Sequence, residues 1–312
     1  MIYILSCEKI ERGGGVYGYD LAEDGTLKNR AYFPCDRPMY AVKSEKGLFV
    51  LLRAPFENCD ESGYFFLNEN LQSTTELKST KGKVACHLCV TGQDVYIVNY
   101  LSGNIVRNGE KILQRTGKSI HPTRQTEPHT HFVGETPDGY LSVCDLGADA
   151  LAFYDRDLRL LSESNVPRGY GIRHLVFSKD GNYIYAVNEL KPSISIFAYQ
   201  NGNAELLQTQ EIACKNESAN GAAIRLSADG RHLFVSLREE NLICKFAVNK
   251  EKLTPLQSVD CGGNSPRDLN IFGEYIVCTN ERSNNVAVLL WQEGKPLERL
   301  GSISINAPLC VL

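Results

Sequence analysis

A pattern that returns every 42 to 50 residues constrains this chain more than anything else in it. In each copy a proline or small residue opens a short apolar strand, a turn follows, and a second strand ends on a polar residue. The openings fall at Pro38, Ala85, Pro128, Ile172, Ala222, Pro266 and Pro308, at intervals of 47, 43, 44, 50, 44 and 42 residues. The second strands are the clearest, among them Val95-Tyr-Ile-Val-Asn99 and Tyr183-Ile-Tyr-Ala-Val-Asn-Glu189. Aromatic and β-branched side chains dominate them, as a pleated, half-buried surface requires. A third strand and a more polar fourth complete the unit. Asp-Gly or Asn-Gly pairs at 24–25, 108–109, 138–139, 180–181, 201–202 and 229–230 supply hairpin turns.

Four antiparallel strands per repeat predict an all-β fold, a seven-bladed β-propeller. The seventh unit is cut short, since after Pro308 only Leu309 to Leu312 remain. Met1 to Cys7, Gly15 to Leu21 and Leu27 to Phe33 carry the second-, third- and fourth-strand patterns. One blade is therefore expected to join N- and C-terminal strands, closing the ring and hiding its edges. Residues 1–312 read as a single propeller domain without a linker.

A chain of 312 residues can bury roughly 75% of its unfolded surface, so it needs no metal or disulfide to hold together. Acidic residues outnumber basic ones 37 to 33, and no basic arm or stripe points to nucleic acid. No apolar run approaches a membrane span. The apolar start is too short for a secretory segment and lacks a basic flank. With 11 cysteines scattered almost singly, this favours free thiols in the cytoplasm. Cys86-His-Leu-Cys89 has no second pair at metal-ligand spacing.

In an antiparallel hairpin the start of one strand and the end of the next lie at the same end of the sheet. Around a propeller axis these places gather His87, His129, Arg173 and Arg267 from first strands. Second strands add Arg53, Asn99, Asp145, Glu189, Arg238, Glu281 and Arg282. His129 and His131, two apart, are expected to face one pocket. His121, Arg124 and Gln125 precede them in a loop that could form a wall. His174 should alternate away from Arg173 and serve packing. Arginines converging on one mouth in a mildly acidic protein point to an anion-binding site.

Pro128-His-Thr-His131, Val143-Cys-Asp-Leu-Gly-Ala-Asp149, Gly171-Ile-Arg-His174 with Tyr185-Ala-Val-Asn-Glu189, Val235-Ser-Leu-Arg238 and Ser265-Pro-Arg-Asp268 together resemble the seven-bladed propeller lactonases. That family includes propeller-type 6-phosphogluconolactonases and fungal carboxymuconate lactonizing enzymes. The resemblance implies active-site roles for His129, Arg173, Glu189 and either Arg238 or Arg267. Ile172 stands where the family usually has Pro, and Leu237 where it often has Asn.

The expected reaction is hydrolysis of an anionic sugar lactone, foremost 6-phosphogluconolactone. His129 or His131 would be the general base. Arg173 would face the oxyanion and Glu189 would orient it. Arg124, Gln125, His87, Asp145, Arg238 and Arg267 would bind substrate. No cofactor or metal is required, although His129, His131 and Asp145 are ligand types that suit a divalent ion. A muconate-type lactonizing reaction and a non-catalytic ligand-binding propeller are the alternatives.

Overall fold

Turn chemistry and strand propensity are realised along the whole chain. The computed structural model, which describes residues 1–312, contains 28 strands in seven four-stranded antiparallel sheets. Its only helical segment is a 3-10 turn at Ile10–Arg12. The seventh sheet pairs Pro308–Val311 with Ile2–Ser6, followed by Gly15–Leu21 and Leu27–Pro34. Leu5 lies opposite Cys310 in this closure. The seven-bladed propeller with terminal-strand closure is therefore as expected.

The seven first strands are Pro38–Ser44, Ala85–Thr91, Thr130–Glu135, Ile172–Phe177, Asn220–Leu226, Pro266–Phe272 and Pro308–Val311. Each touches the first strand of the neighbouring blades, so together they ring the axis. We number the blades one to seven in that order. Two openings differ from the sequence reading by two residues: the third blade starts at Thr130 rather than Pro128, and the fifth at Asn220 rather than Ala222.

The core is divided into seven wedges, one between each pair of adjacent blades. Between blades four and five, for example, Tyr185, Val187 and Ile196 pack against Ile224, Val235 and Phe246. Second strands are buried on both faces for this reason, as at Leu141–Asp145. The outermost strands, such as Glu298–Ser304, are mostly exposed.

The turns fall into two kinds. In Asn-Gly pairs both residues are left-handed, with φ of 57° and 73° at Asn108 and Gly109, the geometry of a two-residue hairpin. In Thr136–Gly139 only the glycine has positive φ, and the Thr136 hydroxyl donates to Asp138 at 2.6 Å.

One irregularity recurs in every blade and positions the site. The first strand's pairing slips near its start, leaving an extra residue that faces the axis. The bulged residues are Met39, Cys86, His131, Arg173, the Ala222–Ala223 pair, Arg267 and Leu309. A bulge breaks the two-residue alternation of a strand and re-aims one side chain.

Candidate active site

The bulges and the residues just past the second strands enclose a cavity of about 370 Å³ at one end of the axis. Met39, Cys86, His131, Arg267 and Leu309 come from bulges. Cys7, Arg53, Tyr100, Glu189, Arg238 and Glu281 come from the ends of second strands. Arg124 enters from the segment between blades two and three.

Glu189, only 3% exposed, is the hub. Its Oε1 accepts from Arg124 Nη2 at 2.6 Å and lies 3.2 Å from Arg238 Nη2; its Oε2 accepts from Arg173 Nε at 2.9 Å. Burial alone would raise the Glu189 pKa, but Arg238, Arg173 and Arg124 outweigh it and hold the carboxyl ionised, well below its ordinary range. Arg173 also donates Nη1 to the Ala222 carbonyl at 2.5 Å. Burial and the nearby Arg267 pull Arg173 down to about 9, with Glu189 acting the other way. It stays charged at neutral pH.

The remaining cations are less committed. Arg267 and Arg53 line the cavity without a side-chain hydrogen bond or ion pair, and Arg238 Nε is buried without a partner. Four arginines, Arg53, Arg124, Arg238 and Arg267, face two glutamates, Glu189 and Glu281. The cavity is thus net positive in a protein of net charge −4.

The two histidines of the His-x-His stretch part company at the bulge. His131 lines the cavity, with Nδ1 buried and unpartnered. Burial, then Arg173, hold its pKa well below the usual histidine value. His129 instead stacks on Tyr100, with centroids 4.5 Å apart, and donates Nδ1–H to the Tyr100 carbonyl at 2.9 Å. The carbonyl can only accept, which fixes that tautomer. The Tyr100 hydroxyl in turn accepts from Arg124 Nε at 3.1 Å, so His129 braces the wall without lining the cavity.

Other expected site residues lie elsewhere. Asp145 is fully buried, accepting from Arg115 Nε and the His129 backbone N–H at 3.1 and 2.8 Å. Gln125, also fully buried, spans its loop by donating to Leu146 O and accepting from His121 N. His87 sits at the opposite end of the channel, because the bulge turns Cys86 toward the cavity in its place. His174 faces the channel rather than the packing side, for the same reason. Asn99 is buried against Thr80 and Asn104, and Arg282 pairs with Glu239 on the rim. No three His, Cys, Asp or Glu side chains converge as metal ligands, the bulge having separated His129 from His131.

Tyr100 and Cys86 were not anticipated. A consistent repeat alignment signals both: the residue after the strand opening, and the residue after the second strand, line the cavity in most blades.

Together these features define a seven-bladed propeller with a cationic axial pocket built on one buried carboxylate. The family described as "Lactonase, 7-bladed beta-propeller" matches residues 1–312; the chain belongs to that family. An uncharacterized protein of Staphylococcus aureus strain USA300 is 28% identical, over 92% of this chain and 91% of its own length. A Lactobacillus plantarum protein of known structure superposes with TM-score 0.91 at 27% identity, covering 99% of this chain and 98% of that one. The periplasmic gluconolactonase PpgL of Pseudomonas aeruginosa shares the fold, with TM-score 0.88 at 23% identity, covering 100% and 99% of the two chains.

Proposed function

We propose that this protein hydrolyses an anionic sugar lactone, with 6-phosphogluconolactone as the leading substrate. The observation that carries the reading is the surplus of uncommitted guanidinium groups, Arg53 and Arg267, in the axial cavity. Unpaired guanidiniums repel one another, and a bound phosphate or carboxylate relieves that repulsion with strong charge-assisted hydrogen bonds. The cavity, at about 370 Å³, is within the roughly 300–1,000 Å³ range usual for small-molecule sites.

In this reading Arg53 and Arg238 hold the anionic group and the lactone carbonyl lies against Arg267, with the charge of Arg173 behind it in the neck just below the cavity. A donor aimed at the developing oxyanion is worth about 3 kcal/mol in the transition state. His131, neutral at working pH, takes a proton from the attacking water. Burial first, then Arg173 and Arg267, depress its basicity, so an anion bound over those arginines offsets part of the depression. Glu189 keeps Arg124, Arg173 and Arg238 in register. We place the reaction in the cytoplasm, on the strength of eleven free cysteines.

The test is hydrolysis of freshly generated 6-phosphogluconolactone against its spontaneous rate, with wild type, His131→Ala and Arg173→Ala. Acceleration by wild type that both variants lose supports the reading. A wild-type rate equal to the spontaneous one removes this substrate.

A further inference from the structure

Beneath the cavity the axial channel narrows to a neck of about 20 Å³, room for a single water. His131 lines both the cavity and the neck; His174 lines both the neck and a wider opening on the far face. Their ring centroids are 5.2 Å apart. Two buried ring nitrogens here lack any partner, His131 Nδ1 and His174 Nε2. Buried polar atoms are rarely left unpaired, and these belong to the two histidines that meet across the void. Arg267 and Asp268 line the same neck and offer a water further partners.

We propose that one water in this neck bridges His131 Nδ1 and His174 Nε2, fixing the His131 tautomer and giving the proton released on turnover a route away from the cavity. His131 Nδ1–H donates to the water, and the water donates to His174 Nε2. The His131 Nε2 lone pair is then left for the cavity. The relay half of the proposal rests on the lactonase reading; the tautomer half does not.

The proton count shows why a route is useful. Water adds to the lactone carbonyl carbon, and one of its protons passes through His131 to the ring oxygen as the C–O bond breaks. The new carboxyl group sheds the other, so each turnover yields a hydroxy-carboxylate and one proton. Its way out through the mouth runs past four arginines and two glutamates, whereas the neck carries two arginines, Arg173 and Arg267, beside Asp268, so the mouth holds the larger positive excess. Through the neck, His131 gives up its Nδ1 proton to the water as Nε2 gains one, and the water protonates His174 Nε2. His174 then gives up its own Nδ1 proton on the far side; both rings are left protonated at Nε2, and each returns to its Nδ1–H tautomer before the next turnover. His87, with its centroid 5.1 Å from that of His174, continues toward the far opening. Burial, then Arg173 on one side and, more weakly, Arg225 on the other, disfavour a resting charge on His174, so the proton passes without residing there. His174 acts here as a positioning and relay residue.

Long-range proton–nitrogen spectra of histidine-labelled protein read the His131 tautomer with no substrate present. The expected wild-type spectrum has His131 protonated at Nδ1 and bare at Nε2, with the preference weakened in His174→Phe. A wild-type His131 carrying its proton at Nε2 overturns the bridge. Kinetically, His174→Phe should lower kcat roughly 100-fold, the lower end of the range for acid–base participation, with KM unchanged. His174→Gln, which can still hold the water, should keep the tautomer while also losing kcat. Wild-type kcat in a folded His174→Gln overturns the relay. Should wild type itself show no turnover, the lactonase reading fails, and the spectra still decide the bridge.

Discussion

The two ends of the axial channel are built from the same seven strands yet present opposite chemistry. At one end, bulges and strand-end residues surround Glu189 with arginines. At the other, regular alternation resumes and brings Tyr40, Val42, Phe132, Val176 and Phe272 to the opening, with Arg225 tied to Asp268 at 2.8 Å. The difference lies in one extra residue per strand. A bulge lets a propeller aim polar side chains at its axis without disturbing the apolar faces that hold the blades together.

Removing the hub should have the largest effect. Glu189→Gln leaves the buried Arg173 and the partly exposed Arg238 and Arg124 without their carboxylate, so a stability loss of about 3–5 kcal/mol, mostly from the buried Arg173 pair, is expected, read by urea denaturation. Turnover should fall with it by about 100-fold or more, since the arginines lose their register. Next comes the divergence of the two histidines. His131→Gln should lower kcat about 100-fold. His129→Gln should cost about 1 kcal/mol through one lost hydrogen bond and change kcat less than tenfold. Equal kinetic losses would erase the distinction drawn at the bulge.

Acid tests the channel's interior. Burial pushes His87 down to about 3 and holds His131 and His174 well below their ordinary value. Below pH 6.5 the unfolded chain therefore binds protons that the folded protein refuses. Stability should fall as pH drops from 6.5 toward 5, by up to about 1.4 kcal/mol per unit for each of the three. His87→Phe should reduce that slope by about one third in denaturation midpoints. The smallest effect belongs to the far opening, where Phe272→Leu should leave kcat/KM within about twofold, an apolar swap of similar size costing little.

The fold was legible because period and strand chemistry repeat seven times, and the closure because the final unit lacked strands that the N-terminus possessed. The site was legible as a region. Its individual members were harder, for two physical reasons. Strict alternation assigned His87 and His129 to the cavity, but the bulge gives those places to Cys86 and His131. Opening the third blade at Pro128 rather than Thr130 hid this, since the corrected register makes His131 the counterpart of Arg173 and Arg267. Gln125 and Asp145 look like ligand-binding residues by type, and only their tertiary partners, Leu146 O and Arg115, reveal a bracing role. In most blades the residue just after the second strand, not the last one in it, reaches the cavity, which is how Tyr100 was missed and Asn99 chosen.

The most direct test of the account compares kcat/KM for 6-phosphogluconolactone with that for unphosphorylated gluconolactone, in wild type and in Arg267→Gln. The cationic cavity predicts a wild-type preference for the phosphorylated lactone that shrinks roughly tenfold or more when one charged contact is removed. Equal rates on the two lactones, or a preference that Arg267→Gln leaves intact, would contradict the claim that this end of the propeller is built for an anion.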